Sequence, residues 1–130
     1  MERDELIRFW LLSSDADFQA METLFQRGHH FWTLICARQL LEKLLKAFYV
    51  KKIEEEAPEG ASLLEIAEKG ALDLSEEQRE ILVQMDLFDL RERSPKAQSR
   101  LYEKATRKFT EYYFNRITEL RPWLIRKISV

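Results

Sequence analysis

Residues 29–52, HHFWTLICARQLLEKLLKAFYVKK, contain neither glycine nor proline. The spacing predicts one long helix. Stepped at about 100° per residue, Leu34, Ala37, Leu40, Leu41, Leu44, Leu45 and Phe48 share one broad face. Gln39, Lys43 and Lys46 fall opposite. An apolar stripe this wide needs neighbours on more than one side, which places the helix centrally in a bundle. Arg38 and Glu42 project at the stripe's edge, near Phe31, Ile35, Leu45 and Tyr49. Being four apart, they can meet on one face. As a partly exposed ion pair they would contribute only ~0.3–0.5 kcal/mol. Set in a groove, the same groups would be a site. The residues alone leave both readings open.

The rest of the chain allows few alternatives to helices. Three Gly and three Pro in 130 residues leave room for few turns, which favours long helices over many short strands. The length suits one domain, 1–130, with a real core. A net charge of −2 gives no global pull towards nucleic acid, so such binding needs a local basic patch. One cysteine cannot form an internal disulfide, and two histidines with Cys36 do not make a zinc-type ligand set. No metal or cofactor is expected, and Cys36 reads as a small core or edge residue. No apolar run reaches ~18 residues and no signal peptide opens the chain, so a cytoplasmic protein without a membrane span is expected.

In chain order, residues 4–27 read as the first helix, stopped by Gly28. The short link to the central helix makes the two antiparallel neighbours. Leu6, Trp10, Phe18, Met21, Leu24 and Phe25 form the first helix's stripe, and Asp17 projects inside it. An ionised carboxylate there needs a partner from another helix, unless it reaches water at the edge. His29 and His30 point apart and read as a solvated turn. Pro58 and Gly60 mark a linker over about 53–61. Ser62–Glu65 is a capping-box pattern opening a short helix that stops at Gly70. Ser75–Gln78 is a second, opening a helix to about Leu90 with Ile81, Leu82, Met85 and Phe88 inward. Pro95 biases Ser94 to an extended conformation. A last long helix is predicted from about Ala97 to Leu120, with Leu101, Ala105, Phe109, Tyr112, Tyr113, Ile117 and Leu120 inward and Arg116 projecting among them. Phe114 is expected on the exposed side. Pro122 is expected to interrupt the helix, leaving a short apolar tail around Trp123. The fold class is therefore all-α, an up-and-down four-helix bundle with an additional short helix.

The run W-x-x-x-x-A-R-Q-x-x-E-K-x-L-K-A, Trp32 to Ala47, resembles the second helix of HEPN domains. These are small bacterial and archaeal helical proteins, often encoded beside a minimal nucleotidyltransferase. Trp10, Ser14 and Asp17 are similar to the family's W-x-x-x-A/S-x-x-D. Phe88, Asp89, Leu90, Arg93 and Pro95 resemble its F-N-I-x-x-R-Y-P-D segment, with Ser94 for Tyr and Lys96 for Asp. Ser62 and Leu63 stand where the family often has His-Asp. The resemblance spans about Trp10 to Leu120.

It implies a homodimer and, in many members, ribonuclease activity through an Arg followed five to seven residues later by His. No histidine follows His30, and neither His29 nor His30 has an arginine five to seven positions before it. Cleavage through a 2′-hydroxyl wants a group titrating near neutrality, usually His. Binding is therefore expected rather than catalysis, with no catalytic residues assigned. The expected function is nucleotide or RNA binding alongside a separate minimal nucleotidyltransferase, as in a toxin–antitoxin module. Arg38 and Arg93 are the phosphate candidates, since an arginine fork suits phosphate. Asp17, Glu42 and Arg116 would hold a polar seam between the first, second and last helices. A diverged ribonuclease and a plain interaction module are the alternatives.

Overall fold

A computed structural model describes residues 1–91 and 93–129. Six helices follow in order: α1 (Arg3–Gln26), α2 (His30–Ile53), α3 (Leu63–Lys69), α4 (Glu76–Asp86), α5 (Pro95–Lys104) and α6 (Arg107–Ser129). No strand occurs among the described residues. Among them, no helix is long and apolar enough to cross a membrane.

The central position of α2 follows from its stripe. Every stripe residue is buried, with Leu34, Leu40, Leu41 and Leu44 at 0% exposure. The helix touches α1, α3, α4 and α6. Gly28 turns the chain between α1 and α2 at φ +78°, a conformation glycine adopts without strain. The Arg3 guanidinium donates to the Lys51 carbonyl at 3.1 Å, so the start of α1 meets the end of α2 and the pair is antiparallel. Helix α1 is peripheral. Met21 and Ser14 are buried, while Trp10, Phe18, Leu24 and Phe25 are half-buried. Lys43 and Lys46 do not lie on a free solvated face. Both are half-buried and paired, with Asp17 and Glu42 respectively.

Both capping boxes form. The Ser62 and Ser75 hydroxyls accept from the Glu65 and Gln78 amides, and each N3 side chain accepts in return. These bonds satisfy amides that a helix start leaves free. Ser62→Ala and Ser75→Ala should each cost about 1 kcal/mol. Urea midpoints unchanged from the parent would show that the caps do not hold these short helices.

The C-terminal third departs from the expected single helix over 97–120. Ser94, extended at ψ 159°, caps α5 through a bond from the Ala97 amide, and Pro95 takes the first turn, where a missing N–H costs nothing. The helix ends at Ala105, whose ψ of 56° leaves the helical region. Thr106 then accepts from the Phe109 amide at 3.2 Å, an N-cap bond that starts α6. Helix α6 continues without a break through Pro122 to Ser129. The missing N–H is tolerated because Leu124 and Ile128, at 1% and 3% exposure, are buried beyond it. Tyr112 is 51% exposed rather than inward. Phe114, expected outside, stacks on Phe25 of α1 with ring centroids 4.2 Å apart.

Candidate functional site around Arg38

Arg38 is 2% exposed, yet it carries a permanent charge. Such a group needs carboxylates, and three are supplied. One guanidinium nitrogen donates to Glu42 at 2.9 Å, one turn on along α2. The other donates to Asp86 at the end of α4, at 3.1 Å, and stands 3.4 Å from Asp89. Asp86 also accepts from the Leu63 amide at 3.2 Å, tying the first turn of α3 to the same point. Arg91 closes the cluster from outside. It lies 2.8 Å from Asp89 and 3.5 Å from Glu42, with its side chain 56% exposed. Lys46 stands 3.5 Å from the second oxygen of Glu42.

The electrostatics follow from these contacts. Burial alone would raise the Glu42 carboxyl. The Arg38 hydrogen bond and the charges of Lys46, Arg38 and Arg91 outweigh it and hold Glu42 below the usual range. The hydrogen bond from Arg91 holds Asp89 below it too, against partial burial. Both stay ionised at neutral pH and are poor proton donors there. Three cations face three carboxylates, so an anion can enter the cluster only by displacing one of the carboxylates.

The predicted site residues divide. Arg38 and Glu42 lie in the cluster. Arg93 borders it, but its donors go to the main chain: Nε to the Asp89 carbonyl at 2.9 Å and a terminal nitrogen to the Leu87 carbonyl at 3.1 Å. It fastens the end of α4. Asp17 finds the expected partner from another helix in Lys43. The ammonium is 2.7 Å from Oδ2 but off the line of a directed hydrogen bond, so the contact is a charge pair. Arg116 pairs with Glu119 at 3.2 Å on its own helix. Asp17 and Arg116 therefore do not join the Arg38 seam. The charge bridge between α1 and α6 is Asp15–Arg121 at 2.8 Å instead.

Asp86, Arg91 and the role of Asp89 were not foreseen. The available signal was chemical. A buried guanidinium fork has more donors than one carboxylate can satisfy, so Glu42 alone was never enough. Cys36 is half-buried; burial first, then the Asp17 charge, pushes its thiol up, which removes it as a nucleophile near neutral pH.

The cluster joins the Trp32–Ala47 run to the Phe88–Pro95 segment, two stretches far apart in sequence. The HEPN domain family model matches residues 7–128. The chain belongs to the HEPN domain family. Neither the curated proteins nor the solved structures contain a match to it. In this HEPN domain the Arg-Gln-x-x-Glu of α2 is a structural junction: it binds the ends of α4 and α3 to the central helix.

Proposed function

We propose that this HEPN protein binds nucleotide or RNA without cleaving it, and works beside a separate minimal nucleotidyltransferase in a toxin–antitoxin type module. The observation that carries the binding reading is the state of the Arg38 cluster. Glu42 and Asp89 are held ionised by Arg38 and Arg91. His29 and His30 stand about 12 Å upstream of Arg38 along α2, at 1.5 Å per residue. A general acid or base near neutrality is missing from the cluster's described residues.

Arg91 is the group a phosphate would meet first, being the exposed arm of the cluster. A phosphate replacing Asp89 there would also face Arg38 behind it. Calorimetric titration with ATP and GTP should show binding, weakened at least tenfold, about 1.4 kcal/mol, by Arg91→Met. Titrations without heat for either nucleotide would remove the nucleotide arm. Purified protein should leave a labelled RNA intact; cleavage that scales with protein would favour a diverged ribonuclease. Arg93 gives the interaction-module reading its support, since both of its hydrogen-bonded nitrogens serve the protein's own backbone.

The chain is read as a homodimer within an up-and-down bundle. Support comes from Phe9 and Leu12, 48% and 63% exposed on α1, rather than from Phe114. Sedimentation at micromolar concentration should show twice the chain mass. A monomer throughout would reject the dimer.

A further inference from the structure

The chain is net negative, but its cations are not evenly spread. Residues 93–108 hold Arg93, Lys96, Arg100, Lys104, Arg107 and Lys108 against a single acid, Glu103. Lys96, Arg100 and Lys104 are all exposed on α5. Spaced by four, they form one edge of the helix with steps of about 6 Å. That step is comparable to the distance between neighbouring phosphates along a nucleic-acid strand. Among the described residues, no carboxylate is in ion-pair contact with any of the three. Lysines and arginines in a row repel one another and favour a polyanion.

The row leads to a cavity. Arg107, three residues beyond Lys104, is a wall of a cleft of about 500 Å³ between the α1–α2 turn and the start of α6. Arg27, His30 and Phe25 are further walls, and no carboxylate lines it. The Phe25 wall is braced by its stack on Phe114. Arg107 has one weak competitor, Glu111 at 4.0 Å. The opposite end of the bundle also carries cations, Arg3, Arg8, Lys51 and Lys52 among them, but its two clefts are each lined by a carboxylate, Asp73 or Asp4.

We infer that the Lys96–Arg100–Lys104 edge and the Arg27–Arg107 cleft form one binding surface for the phosphate backbone of a single nucleic-acid strand. The contacts are to phosphate, so the surface binds with little sequence preference. The inference rests on the RNA arm of the function proposed above, but at a different place from the Arg38 cluster.

The test is the salt dependence of binding to a fluorescent single-stranded oligoribonucleotide. The parent should bind, with affinity falling as salt rises. The triple variant K96Q/R100Q/K104Q should bind more weakly and lose about 2 from the slope of log affinity against log salt, at about 0.7 per phosphate. Arg27→Gln with Arg107→Gln should reduce it further. Arg8→Gln with Lys51→Gln, at the far end, should leave both affinity and slope unchanged. Circular dichroism confirms that each variant is folded. A triple variant with the parent's slope overturns the surface. If RNA binding is instead lost in Arg91→Met alone, the strand lies on the Arg38 cluster; the function proposed above survives and this inference does not. A parent that ignores RNA but binds an acidic protein partner also overturns it. ATP titration of the triple variant tells the two proposals apart, because binding at Arg91 should be untouched.

Discussion

Arg38→Met should be among the most damaging single substitutions in the chain, at about 3 kcal/mol, the low end of the range for breaking a buried pair. Removing the cation leaves Glu42, Asp86 and Asp89 facing one another around its place. The low end applies because Asp86 and Asp89 remain 31% and 22% exposed, so water relieves part of the repulsion. The pH dependence should reverse as well. In the parent, Glu42 and Asp89 sit below their ordinary range, so their contribution is complete at neutral pH and is lost as pH falls through those lowered values. In the variant, crowded carboxylates take up protons more readily. Its deficit should therefore shrink between pH 7 and pH 4. Asp89→Asn added to Arg38→Met should recover part of the loss. Urea titrations of the three proteins at both pH values decide the matter. A variant within 1 kcal/mol of the parent at pH 7 would mean that the cluster is not what joins α4 to α2.

The helices legible in the sequence are those whose signals are local. The α2 stripe, the two Ser capping boxes and the Gly28 stop each depend on residues within a turn or two of one another, and each formed as read. The break at Ala105 was not legible. Leu101, Ala105 and Phe109 keep a helical spacing across it, so periodicity alone joins α5 to α6. Only the Thr106 cap separates them. Pro122 misled in the opposite direction, because a local penalty was outweighed by burial of Leu124 and Ile128 further on.

The site was half legible for the same reason. Arg38 and Glu42 share a helix, and their spacing predicts their contact. Asp86 and Asp89 are 48 and 51 positions from Arg38, and nothing in the local pattern says which acids reach a buried arginine. Projection into a stripe told that Asp17 needs a cation but not which one. It suggested Arg116, whereas Lys43 was already in place on the neighbouring helix. Arg116→Met and Asp17→Leu should consequently add without coupling, since the two groups share no partner.

Leu41→Pro should unfold the protein outright or cost well over 3 kcal/mol. Leu41 is at 0% exposure midway along α2, and four helices lean on that helix. Proline there removes the amide that bonds back to the Ala37 carbonyl, and its ring crowds the same turn. The resulting kink would fall between Arg38 and Glu42. Their 2.9 Å contact depends on an unbroken turn, so the substitution would damage core and cluster together. Leu41→Ala separates the two effects. It keeps the helix, because alanine is a strong helix former, and removes only buried side-chain volume. The expected cost is ~2–5 kcal/mol with helical content preserved below the transition. Circular dichroism melts should therefore show Leu41→Ala as folded but less stable, and Leu41→Pro as losing helix even without denaturant. Leu41→Ala costing under 1 kcal/mol would mean that α2 is not the element the bundle is packed around.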